Sequence, residues 1–322
     1  MSKNNNPLLQ ELGQSELPGV AMTLPSGGAF YDERVLRGSA DIEVRSVSLV
    51  DELNFKDPFK VVSGEAVTEV IRRCAPGIAQ PMRLSKIDVD AVLIAARIAS
   101  HGKTAELELT CQNEEKKLED GTVGQCGYSG TAEVDLRKVL MAMAPIPGPD
   151  SWKLTLPNGH VVQCRPLPYE SVVRSMRTVT DQIRDAKQLE LNGKSNDIGS
   201  LEQVHKTGLD RNSKIHVEML VSSIWYVQTL TGERVYDYGM LMDYLVAIPP
   251  AWILSINDMM DRLAELTKPY GTIDFRCPEC EHESRVPVNM DPTGFFSEPS
   301  RKGTSRTSSA STTAVGRRPT RS

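Results

Sequence analysis

No apolar run in this 322-residue chain is long enough to span a bilayer. The longest candidate, LVAIPPAWILSI, is interrupted by Pro249 and Pro250, and the start, MSKNNNPLLQELGQ, has no apolar core of signal-peptide length. We therefore expect a soluble protein of a reducing, cytoplasm-like compartment, with no membrane partner. Aromatic residues make up only 5% of the chain, but 39% of its residues are apolar, enough for one large domain or two modest ones.

The motifs of common enzyme classes are missing as well. The chain has no Walker-type phosphate loop, no GxGxxG, no HExxH and no Gly-x-Ser-x-Gly elbow, and its five histidines are scattered. Gly27 and Gly28 are too few to cradle a phosphate and fit a turn that Pro25 begins. Asp88 and Asp90 could form an acid/base pair, but their place near a predicted helix start favours interaction with the helix dipole. We predict no enzymatic activity and no small-molecule substrate.

Positive charge is scarce except at the C-terminal end. Residues 301–322 carry six Lys or Arg and no acid, so the total of −5 leaves −11 for residues 1–300. An acidic body argues against electrostatic capture of DNA or RNA. Residues 297–322, rich in Ser, Thr, Arg and Gly, and residues 1–18 have little to bury, and we predict disordered termini.

Four of the six cysteines stand in matching surroundings. Cys277 and Cys280, in FRCPECEHESRVPV, have zinc-knuckle spacing between strand-like flanks. Cys111 and Cys126, in LELTCQNEEKKLEDGTVGQCGYSGTAEVDL, have the same flanks around a longer polar excursion. Four thiolates would form a closed tetrahedral site for structural zinc, with no coordination position left for a substrate.

Other interpretations of the cysteines stay open. A redox pair is the weaker one, because a thioredoxin-like motif should begin a helix. The turn cysteines could also be metal-free, the earlier pair being buried and unrelated to the later one. His282 could replace one thiol as a ligand. Cys74, at a predicted helix end, and Cys164, in a predicted strand, are expected to be core thiols.

The same order of features occurs twice along the chain. TLPSG from Thr23 recurs as TLPNG from Thr155, and each is followed by an arginine-led strand end and an acidic helix start. The segment IDVDAVLIAARIASHG, closed by Gly102, has the length of INDMMDRLAELTKPYG, closed by Gly271. Ser85 and Ser255 precede these two segments as candidate N-caps, and a cysteine-bearing strand follows each.

The sequence thus predicts an α+β protein of two related halves, 19–148 and 149–296, each a hairpin, helices and a zinc-ribbon-like cysteine hairpin. In the second half, residues 168–190 and 213–230 predict long helices, joined by a mobile loop, LNGKSNDIGS. The first of these helices has apolar residues at the spacing expected of a core-facing stripe, at Val172, Val173, Met176 and Val179.

The segments LPSGGAFYD, VRSVSLVDELNF, SGEAVTEVIRRCAPGI and LSKIDVDAVLIAARIASHG, running into a cysteine hairpin, together resemble the T4-type phage baseplate hub assembly family of contractile-tailed phages. The resemblance covers residues 20 to about 138 and rests mainly on FRCPEC in the second half. The family-like positions are structural rather than reactive: Leu24, Pro25, Ser26, Gly27, Gly28, Asp51, Glu52, Ser63, Gly64, Asp88 and Gly102.

The resemblance implies a non-enzymatic role in building the central hub of the tail baseplate. The partners would be baseplate hub or tail proteins, met in the host cytoplasm during assembly or in the virion tail. Cys111 and Cys126 fall where the family pattern has a tight CxxC, and pooling them with Cys277 and Cys280 in one zinc site accounts for that departure. The alternatives are a zinc-ribbon nucleic-acid-associated factor that uses the basic tail and, less favoured, a hydrolase with an open zinc.

Overall fold

The computed structural model describes residues 18–111, 113–114, 116–117, 123–143, 145–191, 215–266 and 272–287. Apart from Pro18, the predicted disordered termini lie outside these ranges, as does the predicted mobile loop after Leu191.

The first part of the chain alternates short hairpins with helices. Its elements are β1 (Gly19–Thr23), β2 (Asp41–Arg45), α1 (Leu49–Phe55), α2 (Pro58–Val62), α3 (Glu65–Cys74), a 3-10 turn (Pro81–Arg83), α4 (Lys86–His101), β3 (Thr104–Thr110), β4 (Lys116–Lys117), β5 (Val123–Gly124), β6 (Ser129–Asp135) and α5 (Leu136–Ala142). The pairs β1–β2, β3–β6 and β4–β5 are antiparallel two-stranded sheets.

The second part opens with a 3-10 turn (Pro149–Trp152). It continues with β7 (Lys153–Thr155), β8 (Val161–Cys164), α6 (Tyr169–Leu191), α7 (described over 215–222), β9 (Ile224–Gln228), β10 (Arg234–Val235), α8 (Tyr238–Ala247), α9 (Pro250–Leu266), β11 (Thr272–Arg276) and β12 (Glu283–Pro287). Strands β10-β9-β8-β7 form an antiparallel sheet, and β11–β12 is a hairpin. The predicted mixture of helices with small sheets is confirmed.

Helix α4 is the central helix of the first core. Every residue from Ile87 to Ile98 is buried, as expected for a helix with apolar residues on all sides. The Ser85 hydroxyl caps its start by accepting from the Asp88 amide. Gly102 ends it with φ of +87°, a backbone conformation that favours glycine.

A second core gathers around β8, β9 and the last two helices, with Trp152, Val162 and Ile256 among its members. The two cores share a border. Phe30, Ile87 and Ile146, from the first part of the chain, belong to the second core, whereas Tyr169 and Val173, from the second part, belong to the first. Each part of the chain thus contributes side chains to the core of the other. The boundary between two halves at residue 148 stays a prediction.

The repeated LP-x-G segments fold in the same way. In Leu24–Gly27 and again in Leu156–Gly159, the glycine amide donates to the leucine carbonyl at 2.8 Å. Both glycines have positive φ, +60° and +83°. The proline sits at the second position of each turn, where its fixed φ is suited to the bend.

Three predictions within the second part are wrong. Ser255 lies inside α9, which begins at Pro250, so it is no N-cap. Residues 213–230 do not form one helix, because 224–228 pair with β8 as strand β9. Met176 and Val179 are about half exposed, although the predicted stripe correctly includes Val173 among the buried residues.

Candidate metal centre

The β3–β6 hairpin carries the earlier pair of cysteines just beyond its last ladder pair. Strand pairing ends at Thr110 and Ser129. The Cys111 amide then donates to the Tyr128 carbonyl at 2.8 Å, and the Cys126 amide donates to the Asn113 carbonyl at 2.8 Å. These two bonds prolong the β3–β6 ladder and hold both cysteines at its end, where the excursion that contains β4 and β5 begins.

The β11–β12 hairpin presents the later pair on a tight turn. The Cys277 amide donates to the His282 carbonyl at 3.0 Å, and the Glu281 amide donates back to the Cys277 carbonyl at 2.9 Å. Glu281 has a positive φ of 56°, which closes the turn around Cys280. A two-residue spacing thereby brings both thiols to one side of the turn.

The end of the β3–β6 ladder meets the β11–β12 turn, so that all four Sγ atoms lie within 4.8 Å of one another. The Cys111 and Cys280 sulfurs are 3.7 Å apart, and the Cys126 and Cys277 sulfurs are 3.8 Å apart. Each close pair takes one sulfur from each hairpin. These separations are far longer than a disulfide bond of about 2.0 Å, and all four cysteines are free thiols.

The sulfur positions fit a tetrahedral zinc ion. With Zn–S bonds of about 2.3 Å, the edges of a sulfur tetrahedron are about 3.8 Å, close to the two short separations. Cys111 and Cys277 are buried and the other two half-buried, which is typical of a structural site at the edge of a domain. The donor set is all sulfur, the set that zinc prefers in closed sites.

The thiols differ in how readily they ionise. Burial raises the pKa of Cys111 to about 12. In contrast, the Asn113 side-chain amide, which donates to the Cys280 sulfur at 3.5 Å, lowers the pKa of Cys280 to about 6. The hydrogen bond from the Asn113 amide therefore favours the thiolate form of Cys280.

The remaining candidates lie outside this cluster. His282 has an exposed side chain and is not among the clustered groups, so its proposed role as replacement ligand is not supported. Cys74 and Cys164 are buried, and burial raises the pKa of each to about 12. Both are core thiols, as predicted.

A second polar cluster surrounds Asp88; sequence reasoning named Asp88, Ser26 and Ser85 separately but missed their contacts and Tyr31. This buried carboxylate accepts from the Ser26 amide at 2.9 Å, from the Ser85 hydroxyl at 2.7 Å and from the Tyr31 hydroxyl. The Tyr31 oxygen also accepts from the Ser85 amide at 2.8 Å. Asp88 thus fixes the LPSGG turn to the start of α4. Asp90 pairs with Lys86 instead, so the two carboxylates serve different contacts.

The family-like acidic pair at the start of α1 is also structural. Asp51 is fully buried, completes a capping box with Ser48 and pairs with the Arg73 guanidinium. The Glu52 Oε1 atom lies 2.6 Å from His101 Nε2, within hydrogen-bond distance. Both acids hold α1 against the neighbouring helices.

Within the described ranges, no helix is long and apolar enough to cross a membrane. No curated protein and no solved structure matches this chain significantly. A family model described as "T4 bacteriophage base plate protein" matches residues 22–297, which include all four clustered cysteines and most of the chain. The match extends through the second half, where the sequence resemblance rested mainly on the knuckle. The chain therefore belongs to the T4 bacteriophage base plate protein family.

Proposed function

We propose that this protein helps to build the central hub of a phage tail baseplate, as an assembly factor or minor structural component. It acts through contacts with hub or tail proteins and catalyses no reaction. The family match over residues 22–297 is the observation that carries the proposal. The buried acids of the family-like segments support it, because Asp51 and Asp88 are engaged in structural contacts rather than aimed into a cleft.

In this proposal the four clustered cysteines hold a structural zinc ion that joins the β3–β6 and β11–β12 hairpins. Metal binding would stabilise the folded state by linking segments that are far apart in sequence. Four thiolate ligands leave no open position on zinc, so the site would contribute to shape rather than to chemistry. The protein would act in the host cytoplasm during assembly, or remain in the tail baseplate.

Disruption of the gene in the phage tests the assembly role. We expect lysates without the protein to lack particles with complete baseplates when examined by electron microscopy. Complementation with the wild-type chain should restore them. Mature particles with complete baseplates in the disrupted phage would overturn the proposal.

Mass spectrometry of purified virions then separates the two roles within the proposal. Retention in the tail at a fixed number of copies indicates a minor structural component. Absence from complete particles indicates an assembly factor that leaves after its work is done.

A further inference from the structure

A cavity of about 290 Å³ opens between the stretch that follows β8, helix α7 and helix α9. We refer to it as the Arg165 cavity. Its apolar lining comes from all three segments: Leu167, Met219, Leu220, Met260 and Leu263. The volume corresponds to that of about ten water molecules in the liquid, so the cavity has room for a small organic group.

Arg165 lines the cavity from the stretch that follows β8. Its backbone amide donates to the Ser223 carbonyl at 2.8 Å, and its Nε donates to the Ser222 carbonyl at 3.0 Å. These bonds fix the side chain against the end of α7. Within the described part of the chain, its two terminal NH₂ groups have no hydrogen-bond or ion-pair partner.

The surroundings leave this cation without a paired charge. Burial lowers the pKa of the Arg165 guanidinium, while Glu170 raises it and Arg83 lowers it by smaller amounts. Glu170 acts from beyond ion-pair distance. Because arginine keeps its proton in proteins, the cavity is lined by a half-buried cation whose terminal donors are unoccupied. An anion that enters the cavity satisfies these donors.

Two further polar side chains of the lining have no partner among the described residues. Ser223 is only 3% exposed, yet its hydroxyl forms no hydrogen bond within the described ranges. The half-buried side-chain amide of Asn257, on α9, forms none there either. A buried polar group without a partner costs stability. Together with Arg165, these groups are suited to a ligand that supplies hydrogen-bond acceptors.

The other ionisable groups limit what the ligand can be. Asp261 on α9 and His216 on α7 also line the cavity, and both are exposed. A dianion such as phosphate would gain contact with Arg165 but would be repelled by Asp261. A monocarboxylate carries less charge, and an N–H group beside it offers a donor to Asp261. The apolar lining suits an aliphatic side chain, and these three groups together are those of an apolar amino acid.

We propose that the Arg165 cavity binds an apolar amino acid through its free carboxylate. The carboxylate accepts from the Arg165 guanidinium and the Ser223 hydroxyl, in the planar geometry that guanidinium groups favour. The neighbouring N–H faces Asp261, and the side chain packs against the methionines and leucines of the lining. Two sources fit this chemistry: the last residue of another tail protein, or a free amino acid. Only the first source rests on the proposed function.

Methyl NMR of the full-length chain tests the proposal. Methionine labelled with ¹³C at its methyl group places reporters at Met219 and Met260, both of which line the cavity. N-acetyl-L-leucine is the probe for a chain end, and L-leucine is the probe for a free amino acid. We expect both methyl signals to shift along one saturable curve with at least one probe, with a Kd of about 1 mM or tighter. The signal of Met141, 85% exposed on α5, should not move.

Changes to the polar contacts measure the part of the carboxylate. Arg165→Lys keeps the positive charge but loses the two parallel donors, and it should weaken binding roughly tenfold. Ser223→Ala should weaken binding about three- to tenfold. N-acetyl-L-leucinamide, which has no carboxylate, should bind at least about tenfold more weakly than N-acetyl-L-leucine.

A matched pair of variants on α9 leaves the buried polar contacts untouched. Ala264 is exposed and lines the cavity, so Ala264→Trp places a large side chain at the opening and should abolish the methyl shifts. Leu254→Trp adds a comparable side chain at a position that is 63% exposed on the same helix and outside the lining. It should leave the Kd unchanged. Circular dichroism checks that both variants are folded.

The two probes identify the source of the ligand. Tighter binding of N-acetyl-L-leucine indicates the end of a protein chain, and tighter binding of L-leucine indicates a free amino acid; with either order, or with equal affinities, the proposal holds. It is overturned if neither probe shifts the two signals up to about 10 mM, if the leucinamide or inorganic phosphate binds as tightly, or if Ala264→Trp has no effect. A shift of Met141 on the same curve would also overturn it, because the probe would then bind exposed apolar groups without selection.

Failure of this inference is distinguishable from failure of the proposed function. If disruption of the gene abolishes baseplates but neither probe binds, the assembly role holds and the Arg165 cavity is not a binding site. If baseplates are complete without the gene and N-acetyl-L-leucine binds, the ligand chemistry of the cavity holds and the proposed function fails.

Discussion

Asp88 is the side chain on which the LPSGG turn and the start of α4 meet. Its three donors come from residues 26, 31 and 85, so a single carboxylate fixes two segments that are about 60 residues apart. A buried carboxylate is costly unless donors surround it. The contacts of Asp88 therefore need the folded core, and each donor has a measurable effect on stability.

Replacement of Tyr31 by Phe removes the hydroxyl that donates to Asp88 and accepts from the Ser85 amide. Because both partners are buried, we expect a loss of about 1–3 kcal/mol in the free energy of unfolding. Urea denaturation measures it. Tyr236→Phe, at an exposed position, should change stability by less than about 0.5 kcal/mol, and an equal loss in both variants would contradict the role of the Asp88 cluster.

The pH dependence of the free energy of unfolding provides a second test of the environment of Asp88. Burial raises the pKa of its carboxyl above the ordinary value of about 4. The folded state then holds this proton more tightly than the unfolded chain does. The stabilisation that comes from protonated Asp88 is therefore fully present below the pKa of this group in the unfolded chain. It is lost as pH rises through the pKa of Asp88 in the folded protein.

Asp88→Asn removes this titration. The stability of the wild type relative to Asp88→Asn should fall as pH rises from about 4 toward neutrality. Parallel urea denaturation of both chains over that pH range measures the difference, in which the other titrating groups cancel. A difference that grows with rising pH would have the opposite sign and would show that the carboxyl pKa is lowered in the folded state.

At the scale of elements, the start of α3 shows how closely helices pack in the first core. Gly64, its N-cap, has φ of +71°, and a Cβ placed there would lie 2.7 Å from a methyl group of Val173 on α6. Helices α2, α3 and α6 therefore converge at a point where only glycine fits. The family-like pair Ser63 and Gly64 belongs to this junction.

Gly64→Ala should destabilise the protein by roughly 2–4 kcal/mol, because left-handed backbone strain adds to an overlap with Val173. Gly38→Ala is the matched control, since Gly38 also has positive φ, +86°, but its Cβ would meet nothing within 4 Å. We expect a loss of about 1–2 kcal/mol there. Thermal or urea denaturation measures both variants. Equal losses would mean that Val173 moves aside without cost.

Elements with strong local signals were predictable. Helix α4 has a serine cap, continuous apolar character and a closing glycine, and all three features were found where the sequence indicated. Strand β9 was missed because its apolar residues also suit a helical period over so short a run. The run of aromatic and β-branched residues from 224 to 227, with Gly232 after it, was the signal for a strand and a turn.

Two other errors in the second part have physical reasons. Pro250 suits the first turn of a helix and begins α9 earlier than the Ser255 cap signal suggested. The stripe on α6 has core-like spacing, but spacing alone does not tell whether a neighbouring element covers each residue. Among the described residues, Met176 and Val179 remain about half exposed.

For the whole molecule, the four clustered cysteines are the contact that joins the ends of the two parts. Matching flanks and spacing predicted that these four cysteines come together, but not which sulfurs lie closest. The contact of the Asn113 amide with Cys280 was not predictable, because it depends on how the two hairpins meet in space. The same holds for the donors to Asp88, whose partners lie far away in sequence.

We expect about one zinc ion per chain in protein purified without chelators. Cys111→Ser and Cys277→Ser should each lose the zinc ion, since each close sulfur pair joins one cysteine of the first hairpin to one cysteine of the second. Elemental analysis by mass spectrometry measures the content. Cys74→Ala, which alters a buried thiol outside the cluster, should retain the metal. Retention of zinc in either hairpin variant would contradict a shared site.

The shared border of the two cores predicts cooperative unfolding. All three tryptophans, at 152, 225 and 252, belong to the second core or pack against it, so their fluorescence reports that core, while far-ultraviolet circular dichroism reports both. We expect coincident transitions in urea. Two separate transitions would show that the parts unfold independently despite the side chains that cross between them.

The order of synthesis gives the cysteine cluster one more consequence. Two of its sulfurs belong to residues 111 and 126, and the other two to residues 277 and 280. A ribosome therefore completes the first hairpin long before it makes the second, and during that interval only two of the four cysteines exist. A chain that ends before Cys277 cannot complete the four-cysteine cluster. If the cluster holds zinc as proposed, metal content would distinguish finished chains from prematurely terminated ones.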